Sequence, residues 1–532
     1  MRVDMNNTED EPNELERLRA QLTQLSAQHH ALADAHEATV AELRVVRTER
    51  DLYKEQLSAA QRRLFAAKSE ARGSEQKDLF FNEAEALAPT RVKRIAVPAH
   101  ERAKRGRKPL DAGLPREVIR HELPEAERCC PHDGAQLMEI GVEVAEQLDI
   151  IPAQIRVLRH ERVKYACPCC ERTLRTAPAP ERLIPKGQLS EAALAWIITA
   201  KYQDGLPLYR QAALLNRFGG DLNRQSLAGN VIRAAQAVQP LINLLRDRLF
   251  EAPIIAGDET ELQVLKEPGR AAQRKSYLWV QVSGIAGSGP PIRLFAYEPS
   301  RSAQAAQRLY AGIAKGTVLL SDGYEVYDCI AHSNQLLHLG CWAHARRGFV
   351  EAEAALPKAA RSAEQPATQF VAAIAELYAI EQRAREHQLN LVQHSELRQE
   401  HSRVALAHIE ALLQRHLHRV LPNSLLGKAL HYLAGQWPKL TRFVDDARYP
   451  LDNNLTENAI RPFVIGRRNW LFSDTVAGAT ASANLYSLIE TAKANRRDPY
   501  RYLVWLFTRL PSARSAEDYE ALLPWHFTQA PQ

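Results

Sequence analysis

A multidomain α/β protein is what this sequence predicts, on three observations. The 532 residues exceed the span that one hydrophobic core usually organises, so roughly three or four units are expected. Before residue 250 the texture passes from heptad periodicity to a basic run, a cysteine-rich segment and helical patterns. Beyond it, β-rich runs carrying placed acids lead into a long Ala- and Leu-rich stretch and a further acid-bearing helical pattern. The net charge of +6 is only mildly basic, so an anionic partner must be located by where the cations cluster. The opening MRVDMNNTEDEPNELE has no apolar signal-peptide core, and no apolar run reaches about 18 residues. A cytoplasmic protein with no membrane partner is expected.

From Leu15 the heptad positions a and d are apolar at twelve of sixteen sites, among them Leu18, Leu22, Leu25, Leu32, Leu43 and Leu57. The period predicts a leucine-zipper coiled coil over 12–72 and a homo-oligomer formed through it. His29, His36, Thr39 and Arg50 interrupt the seam. A basic linker follows over 88–127, with eight Lys or Arg and one Glu between Arg91 and Pro109. Within it Arg105, Gly106, Arg107 and Lys108 resemble an AT-hook, whose arginines lie along a narrow minor groove. A solvated charge run accounts for the same residues equally well.

Five of the seven cysteines fall in two clusters, CCPHDG and YACPCC, which in a reducing compartment point to metal rather than disulfide. A structural zinc module is expected over 128–182, with β-rich sequence between the clusters. Cys167 and Cys170 supply a C-x-x-C knuckle, Cys130 a third ligand and His132 a fourth, with Cys129 and Asp133 open as alternatives to His132. Cys329 and Cys341 read as buried thiols. Over 186–248, Pro207, Gly219 and Asn223 punctuate three helical patterns in the spacing of a helix-turn-helix. Its third helix would present Asn223, Arg224, Gln225 and Ser226 to DNA.

The segment 250–349 orders itself as strand, strand, strand, helix, strand, with Asp258 on the first strand and Asp322 at the end of the fourth. That is the order of an RNase H-like fold, in which first and fourth strands are neighbours, so the two carboxylates face one pocket. Asp-Gly is also a common turn dipeptide. A third carboxylate, Glu457, lies in YPLDNNLTENAIRPFVIGRRNWLF over 449–475, although Asn454-x-x-Glu457 is close to a capping box. The stretch 350–448 reads as a large all-α insertion, and 476–532 as a C-terminal helical region. His387, His394, His401 and His408 recur every seven residues as a polar stripe. His344, Arg346 and Arg347 suit phosphate contacts, as do Arg467 and Arg468, with Trp470 offering a stacking surface.

The segments AGDET, LLSDGYEVY, GCWAHARRGF, DNNLTENAIRPFVIGRRNWLF and LYSLIETAKAN resemble, in this order, the insertion sequence sixty-six family of bacterial transposases. The resemblance covers nearly the whole chain, and two features depart from it: Asp133 stands at the fourth zinc corner and Glu261 replaces a common Pro. It implies a D-D-E enzyme with Asp258, Asp322 and Glu457 as both catalytic and metal-binding triad. It also implies two Mg²⁺ (or Mn²⁺) per active site, structural Zn²⁺, double-stranded DNA as partner and substrate, and accessory proteins of the same element. The activity implied is cleavage at transposon ends and transfer of the 3′-OH into target DNA. A catalytically silent DNA-binding descendant and an RNase H-like nuclease are the alternatives.

Overall fold

The computed structural model describes residues 11–65, 118, 120, 155–166, 174–356 and 361–528. Arg105, Gly106, Arg107 and Lys108, the ligand set Cys130, His132, Cys167 and Cys170, and most of the segment between them lie outside these residues. The chain begins with one 55-residue helix, α1 (Glu11–Phe65), about 80 Å long. Its a and d side chains Leu18, Leu22, Leu25, Leu32, Val46 and Leu57 all face solvent. Two short antiparallel strands, β1 (Lys164–Ala166) and β2 (Leu174–Thr176), are the described regular structure of the cysteine segment.

Four helices follow: α2 (Glu191–Tyr202), α3 (Leu208–Arg217), α4 (Arg224–Ala237) and α5 (Gln239–Phe250). Ser190 caps α2 by accepting from the Ala193 N–H, and Asn223 caps α4 by accepting from the Ser226 N–H. Gly219, at φ 86°, lets the chain leave α3, and the Gly220 N–H closes back on the Leu215 carbonyl. Their apolar faces, with Leu194, Ile198, Leu227 and Leu245, share one hydrophobic core with the strands that follow.

Those strands are β3 (Ile254–Lys266), β4 (Lys275–Val282) and β5 (Arg293–Glu298), then β6 (Val318–Leu320) after α6 (Ala303–Leu309), and β7 (Leu337–Leu339) after α7 (Glu325–Ser333). The sheet order is β5-β4-β3-β6-β7, with β3, β4 and β5 antiparallel and β6 and β7 joining parallel to β3. First and fourth strands are therefore neighbours, as expected.

Next, α8 (Trp342–Ala355), α9 (Pro366–Glu386), α10 (Leu391–Leu397), α11 (Arg403–His416) and α12 (Leu425–Leu440) make a second core of their own, centred on Trp342, Phe349, Phe370, Tyr378, Leu430 and Leu433. Phe349 and Phe370 stack at 4.3 Å. A five-residue π-helical turn, Arg398–Ser402, joins α10 to α11. It carries the buried Arg398, which grips both oxygens of Glu381 at 2.8 Å and donates to the carbonyls of Phe443, Asp446 and Tyr449. His394 bonds the same Glu381, and His387 lies in the turn after α9, so the four histidines do not share one helix.

The chain returns to the sheet as α13 (Asn454–Trp470) and β8 (Ser473–Thr475), which pairs parallel with the far end of β3. It ends with α14 (Val476–Ala494), α15 (Pro499–Arg509) and α16 (Ala516–Glu520). α14 is buried almost all round, and its small Ala479, Ala481, Ser482 and Ala483 allow close packing. Ser487 and Thr491, one turn apart on α14, meet the backbone of β5: their hydroxyls accept from the N–H groups of Phe295 and Arg293 at 2.8 and 3.0 Å. The edge strand is thereby satisfied by a helix.

Candidate active site

The register of β3 on β6 places the acids. Ile254, Ile255 and Ala256 pair with Val318, Leu319 and Leu320, and two residues beyond the last pair on each strand stand Asp258 and Asp322. The parallel ladder thus delivers both carboxylates at the same height. Both are half-buried. Asp322 is anchored as the expected turn residue too, accepting from the Tyr324 N–H at 2.9 Å. Burial, then the negative charges of Glu259 and Asp322, push Asp258 up to about 8, with a smaller contribution from Glu457. Asp258 therefore feels the charge of both other acids singled out by sequence.

Glu457 arrives on the first turn of α13. Asn453 is the residue before the helix, and its amide donates to the Gly257 carbonyl at 3.0 Å, tying the helix start to β3 beside Asp258. Capping is not the task of Glu457: Asp452 accepts from both the backbone and the side chain of Asn454. The Glu457 carboxylate instead faces α8, with Arg347 Nη2 at 3.3 and 3.5 Å from its two oxygens and His344 Nε2 at 3.6 Å. Burial and the adjacent Arg347 charge lower the His344 pKa, against the pull of Glu457 and Asp322.

Several neighbours beyond the three acids complete the site. Glu259 joins the cluster; burial drives it up to about 7 although Tyr327 donates to it at 2.9 Å. The exposed Arg301 stacks on Tyr324 and lowers the Glu259 pKa. Gly323 makes room for a side chain and not for a ligand: a Cβ there would lie 2.5 Å from the Tyr432 ring, so that ring fills the space. Ser321, His338 and Asp328 form a Ser-His-Asp chain at 2.8 and 2.9 Å, closed by Lys439 on Asp328. Ser321 is fully buried and offers no nucleophile to a substrate, so the chain braces the strand end beneath Asp322.

Other expectations need correction. Arg346 is 6% exposed and faces the second core near Tyr378, so it is withdrawn from DNA, unlike Arg347, which is exposed. Trp470 is half-buried, with Tyr202 packed against it in a T-shaped pair and Lys201 Nζ 3.8 Å over its ring, so one of its faces is already occupied. Arg467 is half-buried beside Phe463, and Arg468 is exposed. Cys329 is exposed, whereas Cys341 is buried, receiving the Asn453 N–H on its sulfur. Asn223, Arg224, Gln225 and Ser226 are all exposed, with the Asn223 side chain spent on its cap. Glu261 is paired with Lys275 at 2.6 Å.

The chemistry of the donor set suits hard divalent cations. Carboxylate oxygens are the preferred ligands of Mg²⁺ and Mn²⁺, and a cation would offset the burial and the neighbouring negative charge that raise Asp258. Among the described residues, no three His, Cys, Asp or Glu side chains already converge tightly enough to hold an ion.

The model of the Transposase IS66 family matches residues 186–481, spanning all three acids. The chain belongs to the IS66 transposase family. Within that family, the IS66 C-terminal element matches residues 487–525, the zinc-finger binding domain of transposase IS66 matches 127–171, and the region described as Transposase C of IS166 homeodomain matches 52–119. The uncharacterized protein y4qI of Sinorhizobium fredii (strain NBRC 101917 / NGR234) is 34% identical over 448 residues, 82% of this chain and 80% of its own length. The uncharacterized y4jD of the same strain is 34% identical over 427 residues, 78% of this chain and 81% of that one. No solved structure matches significantly. IS66 membership supports a transposase-type function with a zinc-binding module, and among the described residues no helix is long and apolar enough to cross a membrane.

Proposed function

We propose that this IS66 transposase is a metal-dependent D-D-E enzyme on an RNase H-like core, cutting DNA at the ends of its element and joining the freed 3′-OH to a target strand. The observation that carries the reading is the β3–β6 register, which brings Asp258 and Asp322 level beside the helix that bears Glu457. When bound there, two Mg²⁺ or Mn²⁺ ions would polarise the attacking and leaving oxygens of an in-line displacement. Asp258, Asp322 and Glu457 would hold them. Asn453 fixes Glu457 against β3, the Ser321–His338–Asp328 chain fixes the strand end at Asp322, and Arg347 and His344 stand where a phosphate can be oriented. No protein nucleophile is required, so no covalent DNA intermediate forms.

DNA recognition is assigned to Arg224, Gln225 and Ser226 at the start of α4, to the basic tetrad at 105–108 and to the exposed Arg468. Zn²⁺ is assigned to Cys130, His132, Cys167 and Cys170. The exposed a and d leucines of α1 make a second copy of the chain its natural partner, holding two DNA ends together. The test is joining of a labelled duplex built from the DNA flanking the gene, with Mg²⁺ and with Asp322→Ala as control. Mg²⁺-dependent 3′-end joining lost in the variant is expected; joining that survives in it refutes the triad, and hydrolysis without joining points to a nuclease.

A further inference from the structure

We propose that Arg347 is an exchangeable counter-cation: it occupies Glu457 in the DNA-free protein and passes to a DNA phosphate when a divalent cation takes the carboxylate. The inference rests on the triad reading above. Arg347 touches both oxygens of Glu457, and His344, one turn earlier on α8, stands at 3.6 Å. The two partners differ in freedom. The Arg347 side chain is 54% exposed and the Glu457 carboxylate 26%. Arg347 can rotate into solvent, whereas Glu457 is held on the first turn of a helix that Asn453 pins to β3.

A pair so exposed is weakly bound, which makes exchange inexpensive. Across the site Glu457 and Asp258 repel each other, so without a cation Glu457 is better placed on Arg347. A divalent ion between the acids inverts that preference and leaves Arg347 without a partner beside the DNA path. A guanidinium then finds in a phosphate an acceptor for its full fork, where Glu457 engaged Nη2 alone. Occupancy by DNA and by metal would each free what the other needs, and linkage makes that help reciprocal.

The experiment is Mn²⁺ binding to the full-length, metal-stripped protein without DNA, read by electron paramagnetic resonance of free Mn²⁺, in a cycle of Arg347→Ala and Glu457→Gln. Arg347→Ala should tighten Mn²⁺ roughly two- to fivefold, the scale of a half-exposed ion pair, and this gain should vanish in the Glu457→Gln background. Unchanged affinity in Arg347→Ala, or an equal gain in both backgrounds, overturns the proposal; the latter would mean a general field effect. If Asp258→Asn and Glu457→Gln both leave Mn²⁺ binding untouched, the triad reading itself fails. The transfer to DNA is read separately: the slope of log affinity against log salt for duplex DNA should fall by about one in Arg347→Ala. An unchanged slope overturns that half.

Discussion

Replacing Asp258 by Asn should stabilise the metal-free protein at alkaline pH while abolishing its chemistry. The Asp258 carboxyl moves from an ordinary 3.8 to about 8 on folding, because it is buried and faces Glu259 and Asp322. A raised acid of this kind contributes stability that is fully present below the unfolded value, near pH 4, and is lost as pH rises through about 8. The full displacement corresponds to about 6 kcal/mol at the limit. Charge sharing with Glu259 and relaxation of a half-buried site reduce the expected loss to about 2–3 kcal/mol. Asn is nearly isosteric and never ionises, so it escapes the loss. In EDTA at about pH 9 the variant should melt roughly 3–6 °C above the parent protein, with the gap closing towards about pH 5. Added Mg²⁺ should raise the melting temperature of the parent and leave the variant nearly unmoved. A variant that melts at or below the parent in EDTA at alkaline pH would refute the idea that burial and its acidic neighbours disfavour the Asp258 charge.

Gly323→Ala would drive a Cβ into the Tyr432 ring, costing about 1–3 kcal/mol by denaturant unfolding and displacing Asp322, so joining activity should fall more than duplex binding. Arg398→Ala leaves Glu381, which His394 and Arg398 hold at about 2 against its burial, without its charge partner; a loss of about 3–5 kcal/mol is expected in the same assay. Phe349→Ala removes half of a buried ring stack and should cost about 3–5 kcal/mol, with Asp258→Asn adding to it independently because the two lie in different cores.

Much of the site was legible because strands and helices announce themselves locally. The apolar run before Asp322 and the strand around Asp258 were visible, and so was the helical insertion. What no local pattern carries is the pairing register that levels the two acids, since it depends on strands separated by two others and a helix. Arg346 and Arg347 look interchangeable in the string HARRGF; a single residue step along α8 rotates one into the second core and leaves the other beside Glu457. Phe349, three residues beyond Arg346 on the buried face, was the available signal. Glu259 lies outside the acid positions of every motif that the sequence offers, yet it adds to the field on Asp258. Tyr432 reaches the Asp322–Gly323 turn from the inserted helices, a contact that sequence spacing cannot express. Capping by Glu457 was a fair local reading, displaced because Asn453, not Asn454, precedes the helix, which moves Glu457 out of the capping-box position.

The hydroxyls of Ser487 and Thr491 have a consequence for chains that are never completed. A sheet edge normally ends in unpaired amides and carbonyls that invite another strand, and here two side chains from α14 answer part of that invitation. A ribosome finishing the sheet at β7 has yet to make them, and everything from α8 to β8 must be synthesised first. Until then β5 is an adhesive border, open to the β5 of a neighbouring nascent chain. A product cut short before α14 would thus be prone to aggregate through that border, even with α2 to α5 already made.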